Sequence, residues 1–128
     1  MKLFAVRGAI DVPIDTPEAV SEAVQTLMAK LIEVNQVELS SILSIFFTTT
    51  PDIHSQNPAT ALRLAFPDWP SLPLLCSQEP VITGMFPACI RVLIQWQVQD
   101  TETVKITPLY LGKAAQLRPD LDPNHVTP

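Results

Sequence analysis

Along "ACIRVLIQWQV", residues 88–98, Ile90, Val92, Ile94, Trp96 and Val98 fall on one side, while Cys89, Arg91, Leu93, Gln95 and Gln97 fall on the other. A period of two with one wholly apolar side predicts a strand lying on a core. "KLFAVRGAIDV" repeats the pattern: Phe4, Val6, Ile10 and Val12 share one face, and Leu3, Ala5, Arg7 and Ala9 the other. "SSILSIFFTTTPD" predicts a third strand, rich in β-branched and aromatic residues and stopped by Pro51. "SLPLLCSQEPV" is an apolar extended segment, and "VKITPLYLGK" a last short strand holding Tyr110. Strict alternation places Cys76 and Glu79 on opposite faces, so both can face one pocket only if the strand bulges or ends between them.

The period changes in "DTPEAVSEAVQTLMAKLIEVNQ", where Val20, Ala23, Val24, Leu27, Met28, Leu31 and Val34 fall at helical spacing. Thr16 is placed to cap this helix, Pro17 to open it and Glu18 to sit in its first turn. "NPATALRLAF" predicts a short helix starting near Pro58, with Arg63 inside it. "AAQLRPDLDPNHVTP" holds Arg118 and reads as a proline-broken tail, mobile from about residue 119. Strands, one long helix and short helical turns without an internal repeat or linker predict a single α+β domain over residues 1–128.

Composition narrows the function classes. Apolar residues make up 47 % and charged residues 16 % of 128, enough for a core and too apolar for disorder. So few charges also suggest that subunits cover part of the surface. A formal charge of −5 argues against nucleic acid as a partner. No run reaches the length of a membrane span, and "MKLFAVRGAI" is too short an apolar stretch for a signal peptide. Cys76 and Cys89, with no CxxC spacing, read as reduced thiols in a cytoplasmic setting.

The candidate chemistry lies in four arginines, Arg7, Arg63, Arg91 and Arg118. Arg7 and Arg91 sit mid-strand among apolar neighbours, where a charge is costly unless paired. A guanidinium meets a carboxylate as a planar fork and stays protonated. Glu79 is the best-placed internal partner, and an anionic ligand could complete the compensation. A mid-strand arginine more often pairs with a carboxylate of its own fold, or across a subunit boundary, than binds a ligand. His54 has no serine at motif spacing, and a thiol in "LLCSQ" reads first as a small apolar residue. Two histidines and two cysteines, scattered, do not form a zinc site, and three glycines cannot build a phosphate loop. Asp52, after Pro51, reads as a turn or capping residue.

"VRGAI", "TTTPDIHSQNPATALR", "CSQEPVITG", "CIRV" and "YLGKAAQLRPDL" follow one another across nearly the whole chain. In that order and spacing they resemble the small monofunctional chorismate mutases of the AroH class. The resemblance implies a homotrimer of mixed sheets packed as a pseudo-α/β-barrel, with active sites in the clefts between subunits. It implies rearrangement of chorismate to prephenate, on the route to phenylalanine and tyrosine, without metal or cofactor. By motif, Arg7 in "VRGA" holds a substrate carboxylate, Arg91 in "CIRV" donates to the ether oxygen, and Glu79 in "CSQE" accepts the ring hydroxyl. Leu75, Cys76, Ser77 and Gln78 line the substrate ahead of Glu79, Cys76 mainly through its backbone. Tyr110 contacts a carboxylate, while Arg63 of a neighbouring subunit and Arg118 close the charged rim. Asn57 and Thr60 depart from the family pattern, which has an aromatic residue and a lysine on that part of the cleft wall. A trimeric small-carboxylate binder without catalysis is the competing reading, and a trimeric imine or enamine hydrolase is another, for which no water-polarising group is apparent.

Overall fold

The computed structural model describes residues 1–121. Five strands, β1 (Lys2–Asp11), β2 (Ile42–Thr49), β3 (Leu74–Gln78), β4 (Cys89–Val98) and β5 (Leu109–Leu111), form one sheet in the order β3-β2-β4-β1-β5. β4 runs antiparallel to both β1 and β2, while β3 pairs parallel with β2 and β5 parallel with β1. The sheet is mixed and the fold α+β, as the sequence predicts. Helix α1 (Pro17–Val34) and the shorter α2 (Pro58–Ala65) complete the main elements.

Both helices pack on one face of the sheet. Val6, Ile10, Phe47, Ile90, Val92, Ile94 and Trp96 meet Val20, Val24, Leu27, Met28 and Leu31 of α1 in a single buried cluster. Alternation in β1 and β4 therefore selects the core side as expected. Gly8 lets α1 approach: a Cβ there would come 2.6 Å from Leu31 Cδ1 and 3.2 Å from the Leu109 carbonyl. Thr16 caps α1, its hydroxyl accepting from Ala19 N at 3.1 Å, and Pro17 opens the helix.

Val34 does not belong to the buried stripe; it is exposed. The position one full turn after Leu31 is 35, and Asn35 takes it. Its amide donates to the carbonyls of Leu31 (2.9 Å) and Thr107 (3.0 Å) and accepts from Thr107 N (2.7 Å). The end of α1 is thereby tied to the segment leading into β5. That last strand covers only residues 109–111 of the longer stretch read as a strand, because Pro108 has no N–H to give a ladder.

Only the start of the tail expected from about residue 119 falls within the described residues. Gly112–Leu117 and Pro119–Leu121 form 3₁₀ helices, and residues 122–128 of the expected mobile tail lie outside the described residues. Gly112 adopts φ +59°, and a Cβ there would collide with Asp11 Oδ1, which accepts from Lys113 N at 2.8 Å. This turn folds Ala114 and Leu117 back over the second sheet face, where Ala9, Cys89 and Tyr110 form a small separate core with Phe86 at its edge. Among the described residues nothing covers the rest of that face. Leu3 is 67 % and Leu75 65 % exposed, and Phe46 is also exposed.

Candidate active site

Register places the site residues. Ser77 pairs with Thr48, Thr48 with Arg91, Arg91 with Ala9, and Ala9 with Tyr110, one row across all five strands. Paired residues share a face, so these side chains emerge on the face away from α1. In the next row Leu75 pairs with Phe46, Phe46 with Leu93 and Leu93 with Arg7. Arg7 and Arg91 therefore project from neighbouring strands on one face, one row apart. Arg7 is exposed and makes no ion pair or hydrogen bond among the described residues.

Arg91 is half-sunk in this face, with its side chain 43 % exposed; Glu79 is 15 % exposed. Arg91 Nε lies 3.4 Å from Glu79 Oε2 but makes no hydrogen bond, and it is buried. The pair is thus a close charge contact and not a bidentate fork. Glu79 is held from elsewhere: Oε2 accepts from the Thr48 hydroxyl at 2.7 Å, and Glu79 N donates to Thr49 O at 2.8 Å. β3 ends at Gln78, one residue before Glu79, and Cys76 and Glu79 fall on opposite faces, as strict alternation places them. Cys76 pairs with Phe47 and packs on the main core. Its thiol and the Gln78 side chain thus start from the helix-covered face, leaving Cys76 only its backbone to offer the site.

The start of β4 is clamped. Ala88 has φ +49°, and its N–H donates to Asp52 Oδ2 at 2.9 Å. The Thr50 hydroxyl donates to Asp52 and accepts from Cys89 N at 2.9 Å. Asp52 is a turn residue, as read from the sequence, with the added task of fixing the strand that carries Arg91. Cys89 is buried, and that burial pushes its thiol up to about 11, with the Arg91 charge pulling the other way. Burial also raises the Cys76 thiol. Both sulfurs stay protonated near neutrality. Cys76→Ser is expected to keep kcat within about threefold of the parent, and iodoacetamide to label neither folded thiol at pH 7 at the rate of free cysteine; loss of activity in a folded Ser variant would return the thiol to the chemistry.

Beyond the row, Arg118 pairs with Asp120, Nη2 to Oδ2 at 3.0 Å. That carboxylate raises the Arg118 pKa, with Tyr110 adding a smaller push in the same direction, so Arg118 stands beside Tyr110. Arg63 is elsewhere. It sits in the last turn of α2, which packs on α1 on the opposite face of the sheet, and its Nη2 reaches only Thr60 Oγ1 at 3.4 Å. Asn57 is the N-cap of α2, accepting from Ala59 N at 2.8 Å. Within one chain, Arg63, Asn57 and Thr60 do not meet Arg91. A hollow of about 230 Å³ beside Arg63, lined by Leu62, Phe66, Trp69 and Leu74, and a concavity of about 630 Å³ near Asn35 and Trp96 are both separate from the arginine row. One chain thus presents Arg7, Arg91 and Glu79 on an open sheet face, with Tyr110 buried at its edge beneath Ala114 and Leu117.

Two strand-borne guanidiniums share this face, Arg91 beside the partly buried Glu79 and Arg7 unpaired among the described residues, an arrangement suited to an anionic ligand. The family described as chorismate mutase type I matches residues 3–121. Similar proteins include the chorismate mutase AroH of Thermus thermophilus, 38 % identical over 118 residues, covering 91 % of this chain and 94 % of that protein. The chorismate mutase AroH of Bacillus subtilis (strain 168) is 36 % identical over 121 residues, covering 94 % of each. Among solved structures, a chorismate mutase from Clostridium thermocellum superimposes with a TM-score of 0.79 at 33 % identity, over 88 % of this chain and 98 % of that one.

Proposed function

The chain belongs to the chorismate mutase type I family, and from that premise we infer how it turns chorismate into prephenate. The enzyme is an isomerase of aromatic amino acid biosynthesis. Its reaction is intramolecular: one C–O bond breaks as one C–C bond forms, and no nucleophile or proton transfer is needed. Two tasks fall to the protein.

The first is to fold the enolpyruvyl arm over the ring. Arg7, exposed beside the row, takes one carboxylate, with Tyr110 and Arg118 at the same edge of the face, and this restricts the substrate to a near-attack shape. The second is electrostatic. As the ether bond stretches, negative charge collects on its oxygen, and a cation fixed beforehand at that point stabilises the transition state more than the substrate. Arg91 has this role, and Glu79 accepts the ring hydroxyl. The observation that carries the reading is the geometry of Arg91: it is fixed in a central strand, close to Glu79 yet not hydrogen-bonded to it.

The open site and the uncovered Leu3, Phe46 and Leu75 support a homotrimer in which a neighbour packs on this face and brings its Arg63 to the rim. Two unpaired cysteines suit a reducing, cytoplasmic setting. Mixing the purified protein with chorismate and following the loss of its ultraviolet absorbance tests the reading. Persistent absorbance with bound chorismate would instead identify a carboxylate-binding protein. Because no proton moves, kcat is expected to be flat near neutral pH, with a solvent isotope effect close to unity; a bell-shaped profile with a strong isotope effect would contradict the mechanism.

A further inference from the structure

We propose that Thr48 is a positioning residue which holds Glu79 off Arg91 and so keeps the guanidinium available to the reacting oxygen. The proposal rests on the roles of Arg91 and Glu79 given above. Glu79 Oε2 has two neighbours on this face: the Thr48 hydroxyl at 2.7 Å, which it accepts from, and Arg91 Nε at 3.4 Å, which it does not. A carboxylate and a guanidinium left to themselves close into a bidentate fork with N···O near 2.8 Å, and a buried, unsatisfied Nε adds to that pull. Something must hold the pair apart.

The restraint comes from β2 alone. Thr48 stands in register with Arg91 on one side and Ser77 on the other, so its Cβ is fixed on the row. Being β-branched, it has few χ1 choices, and its hydroxyl points at Glu79. The next residue, Thr49, receives the Glu79 N–H through its carbonyl. Consecutive β2 residues thus grip Glu79 by both backbone and carboxylate, and the Thr48 bond opposes a swing of that carboxylate onto Arg91. Arg91 keeps the Coulombic benefit of a nearby anion while its donors stay unlocked. "TTTPD" is therefore more than a strand end: Thr48 and Thr49 set Glu79, and Thr50 with Asp52 sets the strand of Arg91.

Removing the hydroxyl should release Glu79 onto Arg91, an arrangement favourable to the resting enzyme and unfavourable to the transition state. Thr48→Val keeps shape and strand preference. Its kcat is expected to fall roughly tenfold with KM within about threefold and no loss of thermal stability. Thr48→Ser, which keeps the donor, should stay within about twofold of the parent. In a Glu79→Gln background, itself impaired, adding Thr48→Val should cost less than about twofold more, since the two act as one unit. An unchanged kcat in Thr48→Val, an equal loss in Thr48→Ser, or an undiminished tenfold loss on top of Glu79→Gln would each overturn the inference while leaving the site reading intact. A fully active Glu79→Gln enzyme would remove the site reading itself, and this inference with it.

Discussion

Arg91→Gln is expected to lower kcat by roughly 10² to 10³ while KM moves by no more than about threefold. A donor aimed at an oxygen that is only weakly negative in chorismate contributes little to binding and much to the transition state, so its loss appears in the chemical step. The setting favours the upper part of that range. Arg91 lies in the central strand, hydrogen-bonded on both sides to β1 and β2, and the clamp of Asp52 and Thr50 sits at the start of the same strand. Such a group loses little orientational freedom when the substrate arrives, which is the condition under which preorganised charge is most effective. Arg91→Lys keeps the charge without the fork and should fall between the two. Steady-state kinetics on folded variants decide the matter. A change confined to KM would reduce Arg91 to a carboxylate anchor, and a variant as active as the parent would end its role altogether.

If the proposed trimer forms through this face, Phe46→Asp is expected to yield a monomer and to lower kcat/KM by more than about 10², while circular dichroism shows an intact sheet. Phe46 lies between Leu75 and Leu93 in the row beside Arg91, on a part of the face that no described element covers. A carboxylate buried unpaired in an interface costs several kcal/mol, and a three-fold assembly meets that cost at every copy. In the proposed assembly the activity should go with the trimer, because Arg63 stands on the other face of its own chain and would come to the arginine row from a neighbour. Sedimentation alongside the absorbance assay reads both quantities. A monomeric variant with undiminished kcat/KM would mean that one chain contains the whole site.

What could be read in advance was what local chemistry dictates. Alternation in β1 and β4 gave the correct inner faces, and Thr16 with Pro17 gave the start of α1, because those signals depend on residues a few positions apart. The neighbour order β3-β2-β4-β1-β5 was not legible, since strand pairing is chosen by contacts across the chain. The meeting of Arg91 with Glu79 was foreseen only as a shortage of other partners for a buried guanidinium. Thr48 gave no signal at all: a threonine in a strand is ordinary, and only the register with Arg91 makes its hydroxyl meaningful. Val34 failed for a smaller reason, the phase of the last helical turn, which Asn35 occupies through bonds to a residue far along the chain. The 3₁₀ segment over Tyr110 was not foreseen, since the turn that forms it depends on Gly112 meeting Asp11, a residue far back in the chain.

The order of strands also dictates when, during synthesis, this protein can come into being. β4 is the middle of the sheet, flanked by two strands made before it, and its ladder with β1 runs from Lys2 to Val98. Until the ribosome has released that late segment, β1 and β2 have no common partner, and the edges they turn toward β4 stay unpaired. The nascent chain thus carries most of its sticky surface for most of its translation, and closes in one late, long-range step that creates the sheet and the arginine row together.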